Sequence, residues 1–270
     1  MVDFIYSRKN PEAPLAYCEI MAMHSRLELL FVCEDREKAE ALCKESEATV
    51  LELDRIFDRH RDGSGISELN AADDFVATED DLFFALELCE QFRKSTHGYF
   101  DIAACSPDGS RAAVPAGQTA YILKPATHEA KRSAPGIILD FGGFAKGYAL
   151  EKIRKKFMDE GIVNALLNFG DSSVVGIGTH PLGPCWKICS HEGGRVFQLR
   201  DSALSVSGMS RKGTGHIIDP HTERLVEEDE EIAVSGKSAL VCEMLSTALY
   251  AAPKTERKSI MTLFEDYKYE

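Results

Sequence analysis

Apolar positions along the 270-residue chain recur in two registers. Across residues 35–57, Ala39, Leu42, Cys43, Val50, Leu53 and Phe57 return about every 3.6 residues, which predicts a long helix with one apolar face. A second helix is expected to open at Thr78, Asp80 and Asp81, with a side-chain cap. Leu82, Leu86, Cys89 and Phe92 form its stripe. Helical patterns also fill 145–160 and 238–252, and Gly161 supplies a C-terminal cap for the first of these. Residues 25–32 alternate loosely and predict a strand. So do 121–124, 136–141, 165–178, 186–190, 195–199, 204–207 and 231–234. Residues 59–74, around Asp62-Gly63-Ser64-Gly65, predict a polar loop, and 106–119 an irregular connection. The order is α+β, with mixed and antiparallel sheets flanked by helices. There is no internal repeat, no βαβ series and no G-x-G-x-x-G, so a Rossmann nucleotide site is not expected.

Charge narrows the partners. Asp and Glu number 44 against 31 Lys and Arg, a formal net charge of −13. Nucleic-acid surfaces need clustered cations, so no nucleic-acid partner is expected. The run Glu227-Glu228-Asp229-Glu230-Glu231 reads as a solvated loop. No stretch approaches the roughly 18 apolar residues of a membrane span, and the N-terminus lacks the hydrophobic region of a signal peptide. Eight scattered cysteines without a CxxC pair read as reduced thiols, which points to the cytoplasm.

Chemistry concentrates where a predicted strand meets a predicted helix. Ile137-Ile138-Leu139 runs into Asp140-Phe141-Gly142-Gly143-Phe144-Ala145-Lys146-Gly147-Tyr148-Ala149. A glycine turn into a helix N-terminus leaves backbone N–H groups that suit a phosphate. An ordinary tight turn with a satisfied Asp140 and a solvated Lys146 has the same spacing. Glu243 and Thr247, four residues apart on a predicted helix, share one face. They are hard oxygen donors of the kind that hold Mg²⁺, or else a surface pair or helix back-bond. His216 lies between Gly213-Thr214-Gly215 and Ile217-Ile218-Asp219-Pro220. It is either a base able to take a proton near neutral pH or a loop histidine bonded to a carbonyl.

These segments resemble, in order, the motifs of the ApbE family, the FAD:protein FMN transferases. The 140–149 run is similar to D-[LF]-G-G-[IV]-A-K-G-[YF]-A. Ala165-Leu166-Leu167-Asn168-Phe169-Gly170-Asp171, Val206-Ser207-Gly208, His216-Ile217-Ile218-Asp219-Pro220-His221-Thr222 and Glu243-Met244-Leu245-Ser246-Thr247-Ala248-Leu249 resemble later family elements. Residues 64–70 and Gly98-Tyr99-Phe100-Asp101 resemble earlier ones. The resemblance runs over 20–253, leaving an N-terminal extension, 1–19, and a C-terminal tail, 254–270. It implies a T-fold-like architecture with two lobes around a flavin-nucleotide cleft. It implies Mg²⁺-dependent transfer of FMN from FAD to a Ser or Thr hydroxyl of a partner protein carrying a flavinylation motif, with release of AMP. A monomer or homodimer is expected.

Residue roles follow from the same resemblance. His216 is the implied base. Gly143 (through its backbone oxygen), Glu243 and Thr247 are the implied Mg²⁺ ligands, although the family has Asp where Glu243 stands. Met23, His60, Asn70, Tyr99, Phe100, Asp101, Asp140, Lys146 and Ile218 are the implied FAD contacts. Asp140 either accepts from the flavin or orients Lys146. The chain also departs from the family pattern after Asp101, at Asp171 and at Glu223. Hydrolysis of FAD to FMN and AMP, or FAD binding with weak catalysis, are the alternative readings.

Overall fold

The protein is described by a computed structural model covering residues 3–104, 114, 118–189, 194–208, 217–226 and 230–270. The chain begins with strands β1 (Asp3–Ser7), β2 (Leu15–Ala22) and β3 (Ser25–Val32), then helices α1 (Arg36–Phe57) and α2 (Gly65–Ala71). Strand β4 (Val76–Ala77), helix α3 (Asp80–Ser95) and strands β5 (Ala103–Ala104), β6 (Tyr121–Lys124), β7 (Glu129–Arg132) and β8 (Ile138–Leu139) follow. Helix α4 (Ala145–Asp159) precedes β9 (Ala165–Phe169), β10 (Ser173–Ile177), β11 (Trp186–Cys189), β12 (Val196–Leu199) and β13 (Ser202–Ser207). The chain closes with β14 (Ile218–Asp219), β15 (Arg224–Leu225), β16 (Ile232–Gly236), α5 (Ala239–Ala251), α6 (Lys254–Met261) and β17 (Lys268–Tyr269).

Eight strands form one antiparallel sheet in the order β1-β2-β3-β9-β10-β13-β16-β17. The first and last strands of the chain are therefore its two edges. Period-two alternation aims Leu27, Leu29, Phe31, Leu167 and Phe169 at one face, where they join the main core with α1, α4 and α5. Helix α5 is buried on nearly every side, as expected of a helix apolar all round. On the other face the β11–β12 hairpin lays Trp186 and Leu199 over Val174, Leu204 and Ala233. Gly176 makes this approach possible, since a Cβ there would lie 2.8 Å from the Leu199 Cβ.

Two local expectations are corrected. Residues 59–74 are not a loop throughout, because α2 forms within them. The Ser64 hydroxyl accepts the Ser67 N–H at its start, and Ile66 and Leu69 are buried. Thr78 does not cap α3. Its hydroxyl donates to the His128 carbonyl at 2.9 Å, and Glu79 holds the cap position without a side-chain bond. Gly161 does end α4, with φ +75°, and the Ile162 N–H returns to the Phe157 carbonyl.

Candidate functional site

The strand, glycine turn and helix expected at 137–149 are present as β8, residues 140–144 and α4. Carboxylates already take two backbone donors of this junction. Asp140 Oδ1 accepts the Gly142 N–H at 2.8 Å. Glu243 Oε2, reaching across from α5, accepts the N–H of Gly147 in the first turn of α4. Each carboxylate is matched by a cation. Arg59 Nε donates to Asp140 Oδ2 at 2.6 Å, and Lys146 Nζ lies 3.0 Å from Glu243 Oε1. Lys146 is thus paired with Glu243, and Asp140 with Arg59.

The α4–α5 crossing brings the implied metal ligands together. Glu243 is 3% exposed, and its Oε1 faces Lys146 in an ion pair whose geometry is not that of a hydrogen bond. Thr247 Oγ1 donates to the Glu243 carbonyl at 3.0 Å and stands 3.0 Å from where a Gly143 Cβ would be. Gly147 is the close-approach point. A Cβ there would lie 2.8 Å from the Ala239 carbonyl oxygen and from the Leu240 Cα. Ser246 Oγ lies 3.1 Å from Ser205 Oγ and 2.9 Å from Ser207 Oγ, which ties α5 to β13.

The remaining expected residues lie on several different elements. Phe100 is buried beside Gly143, with its Cε2 3.5 Å from that glycine's Cβ direction, and Asp101 Oδ1 accepts the Ala103 N–H at 2.7 Å. Tyr99 packs against His221 with ring centroids 4.4 Å apart, and His221 Nε2 lies 3.0 Å from the His97 carbonyl. Burial raises the Tyr99 pKa first, and Asp219 and Glu256 add to the shift. Ile218 lies in the short β14–β15 ladder, paired with Leu225. At the β2–β3 turn, Met23 and His24 both have positive φ, 51° and 53°. The Met23 N–H donates to Asp54 Oδ1 at 2.8 Å. His24 lies 3.2 Å from Asp58 and edge-on to His60 at 6.2 Å. Asn70 is committed to the backbone of Leu139, donating to its carbonyl at 2.9 Å and accepting its N–H at 2.8 Å. His216 lies outside the described residues.

Sequence reasoning passed over Arg59, Gly147 and His221. Arg59 carries no local signal because its partner is 81 residues away. Gly147 was visible only as part of a motif, and its packing role depends on α5. Among the described residues, no cluster of three or more His, Cys, Asp or Glu side chains is placed to hold a metal ion. The implied set contains only one carboxylate.

The model of the ApbE family matches residues 21–268. This chain belongs to the ApbE family. Over 138 residues, 47% of this chain and 43% of the relative, it is 26% identical to an FAD:protein FMN transferase of Chlamydia muridarum. Over 135 residues, 45% of this chain and 25% of the relative, it is 30% identical to an FAD:protein FMN transferase of Rhodobacter capsulatus. The matched segments span less than half the length of either curated relative.

Two solved structures share the ApbE fold. The flavin transferase ApbE from Vibrio cholerae superposes with a TM-score of 0.78 at 17% identity, covering 96% of this chain and 97% of the other. The Pseudomonas stutzeri flavinyl transferase ApbE gives 0.80 at 21% identity, covering 95% and 92%. At these identities the likeness speaks to fold. The α+β architecture expected from the sequence is the one observed. No helix among the described residues is long and apolar enough to cross a membrane.

Proposed function

We propose that this ApbE-family chain transfers FMN from FAD to a Ser or Thr hydroxyl of a partner protein and releases AMP. The observation that carries the reading is the meeting of Gly143, Lys146, Glu243 and Thr247 at the α4–α5 crossing. These residues come from two motifs about a hundred positions apart in sequence. A buried carboxylate with one oxygen free of hydrogen bonds, beside a hydroxyl that retains its lone pairs, is a donor set suited to a hard divalent cation. Glu243, Thr247 and the Gly143 backbone oxygen would hold Mg²⁺, which would disperse negative charge on the FAD diphosphate.

This chain's own groups divide the remaining work. Lys146 supplies positive charge where the bridging oxygen departs. His216, assigned on sequence alone, accepts the proton of the acceptor hydroxyl. The hydroxyl oxygen bonds to the FMN phosphorus, the bond from that phosphorus to the AMP oxygen breaks, and AMP leaves with the electron pair. In-line placement of the two oxygens is the main requirement.

The test is incubation with FAD, Mg²⁺ and an acceptor protein, followed by denaturing electrophoresis. Flavin fluorescence migrating with the acceptor is the expected result. Free FMN without labelled acceptor would mean that water is the acceptor and the protein is a hydrolase. Retained FAD without products would mean a flavin-binding protein.

A further inference from the structure

Asp140 and Glu243 flank the same turn, and their cations differ in what they have left to offer. Lys146 faces a buried carboxylate. Arg59 is a third exposed and engages Asp140 through Nε alone. Among the described residues, neither Nη group makes a hydrogen bond or a second ion pair. Holding a guanidinium at Nε fixes its plane and leaves the Nη edge as a rigid fork, the geometry that matches phosphate oxygens. The fork lies at the end of β8, one hydrogen-bonded carboxylate away from the Gly142 N–H.

Charge favours a further cation at this site. A protein of net charge −13 repels an anionic nucleotide at long range, so the site must be neutralised locally. Asp140 and Glu243 already occupy the Gly142 and Gly147 N–H groups, which leaves fewer backbone donors at this junction for an anion. We propose that Arg59 is a further substrate-contacting residue, whose Nη edge takes a phosphate oxygen of the nucleotide while Asp140 holds its Nε edge. The inference rests on the FAD reading above and assigns a phosphate contact to a residue that lies outside the motifs supporting that reading.

Binding to the full-length protein tests it, with FAD and riboflavin as probes and flavin fluorescence as the readout. Riboflavin carries the ring system and no phosphate. Arg59→Met is expected to weaken FAD binding at least tenfold and to leave riboflavin binding within twofold. It is also expected to flatten the dependence of FAD affinity on salt. Arg59→Lys keeps the charge near Asp140 and is expected to recover part of the FAD affinity without the fork. Parent-like thermal melting of Arg59→Lys keeps the comparison valid should Arg59→Met unfold. Equal loss of FAD and riboflavin would overturn the inference, because Arg59 would then act only by positioning Asp140. Unchanged FAD affinity in both variants would overturn it while leaving the FAD reading intact. A parent protein that binds neither probe would overturn both.

Discussion

The Glu243 side chain on α5 caps α4 from outside that helix, accepting the Gly147 N–H with Oε2 while Oε1 faces the Lys146 ammonium. A carboxylate at a helix N-terminus is favoured by the helix dipole and by the unfilled N–H groups of the first turn. Here the same two contacts also satisfy the carboxylate itself, which is 3% exposed. Glu243 therefore links the two helices that frame the site.

Glu243→Ala should lower unfolding stability by about 3 kcal/mol, because it removes the cap and leaves Lys146 without its partner. Glu243→Gln keeps an oxygen for the Gly147 N–H and should cost less, about 1–2 kcal/mol. Urea midpoints of the two variants check the order. Equal midpoints would mean that the cap contributes nothing.

Gly147→Ala would place a methyl group 2.8 Å from the Ala239 carbonyl oxygen and the Leu240 Cα. Both are backbone atoms and cannot rotate away, so α4 and α5 must separate. A loss of about 1–3 kcal/mol is expected, together with loss of activity. Gly63→Ala, at φ +73° with open space around it, should cost about 1 kcal/mol and leave activity unchanged. Thermal melts and turnover of the pair decide whether helix spacing matters to the site.

Thr247→Val keeps the volume and removes Oγ1, whose one donor goes to the Glu243 carbonyl of its own helix. Stability should change by less than about 1 kcal/mol. Mg²⁺-dependent turnover should fall at least tenfold, with the Mg²⁺ concentration for half-activity raised. Parent-like turnover would remove Thr247 from the site.

Alkaline pH should destabilise the protein through one buried and one half-buried phenol. Burial pushes Tyr267 up to about 12, and it raises Tyr121 as well. Tyr121 also donates to the Leu86 carbonyl at 2.7 Å. Folded values above the ordinary tyrosine value of about 10 mean that the folded state favours the protonated phenol. That contribution is complete below pH of about 10 and is lost as pH rises through the folded values. Urea midpoints should fall above that pH, and Tyr267→Phe should fall less steeply. An identical slope in parent and variant would assign the loss to other groups.

The site was legible in the sequence where its signal was local. The β8–turn–α4 junction shows in a glycine pair between an apolar triplet and an amphipathic run, and Glu243 and Thr247 share a face by helical spacing alone. The missed features depend on distant partners. Short α2 hides in a polar segment because only Ile66 and Leu69 are buried. Thr78 resembles a cap until β7 brings the His128 carbonyl within reach. Nothing near Arg59 announces Asp140, and the occupation of the Gly147 N–H by Glu243 emerges only once α5 packs against α4.

One reaction tests the central claim most directly. The parent protein is mixed with FAD, Mg²⁺ and an acceptor protein, and AMP released and flavin bound covalently to the acceptor are counted in the same sample. Transfer predicts equal amounts of the two, both formed at least tenfold more slowly by Thr247→Val and both abolished by removal of Mg²⁺. AMP without acceptor-bound flavin, or neither product, would contradict it.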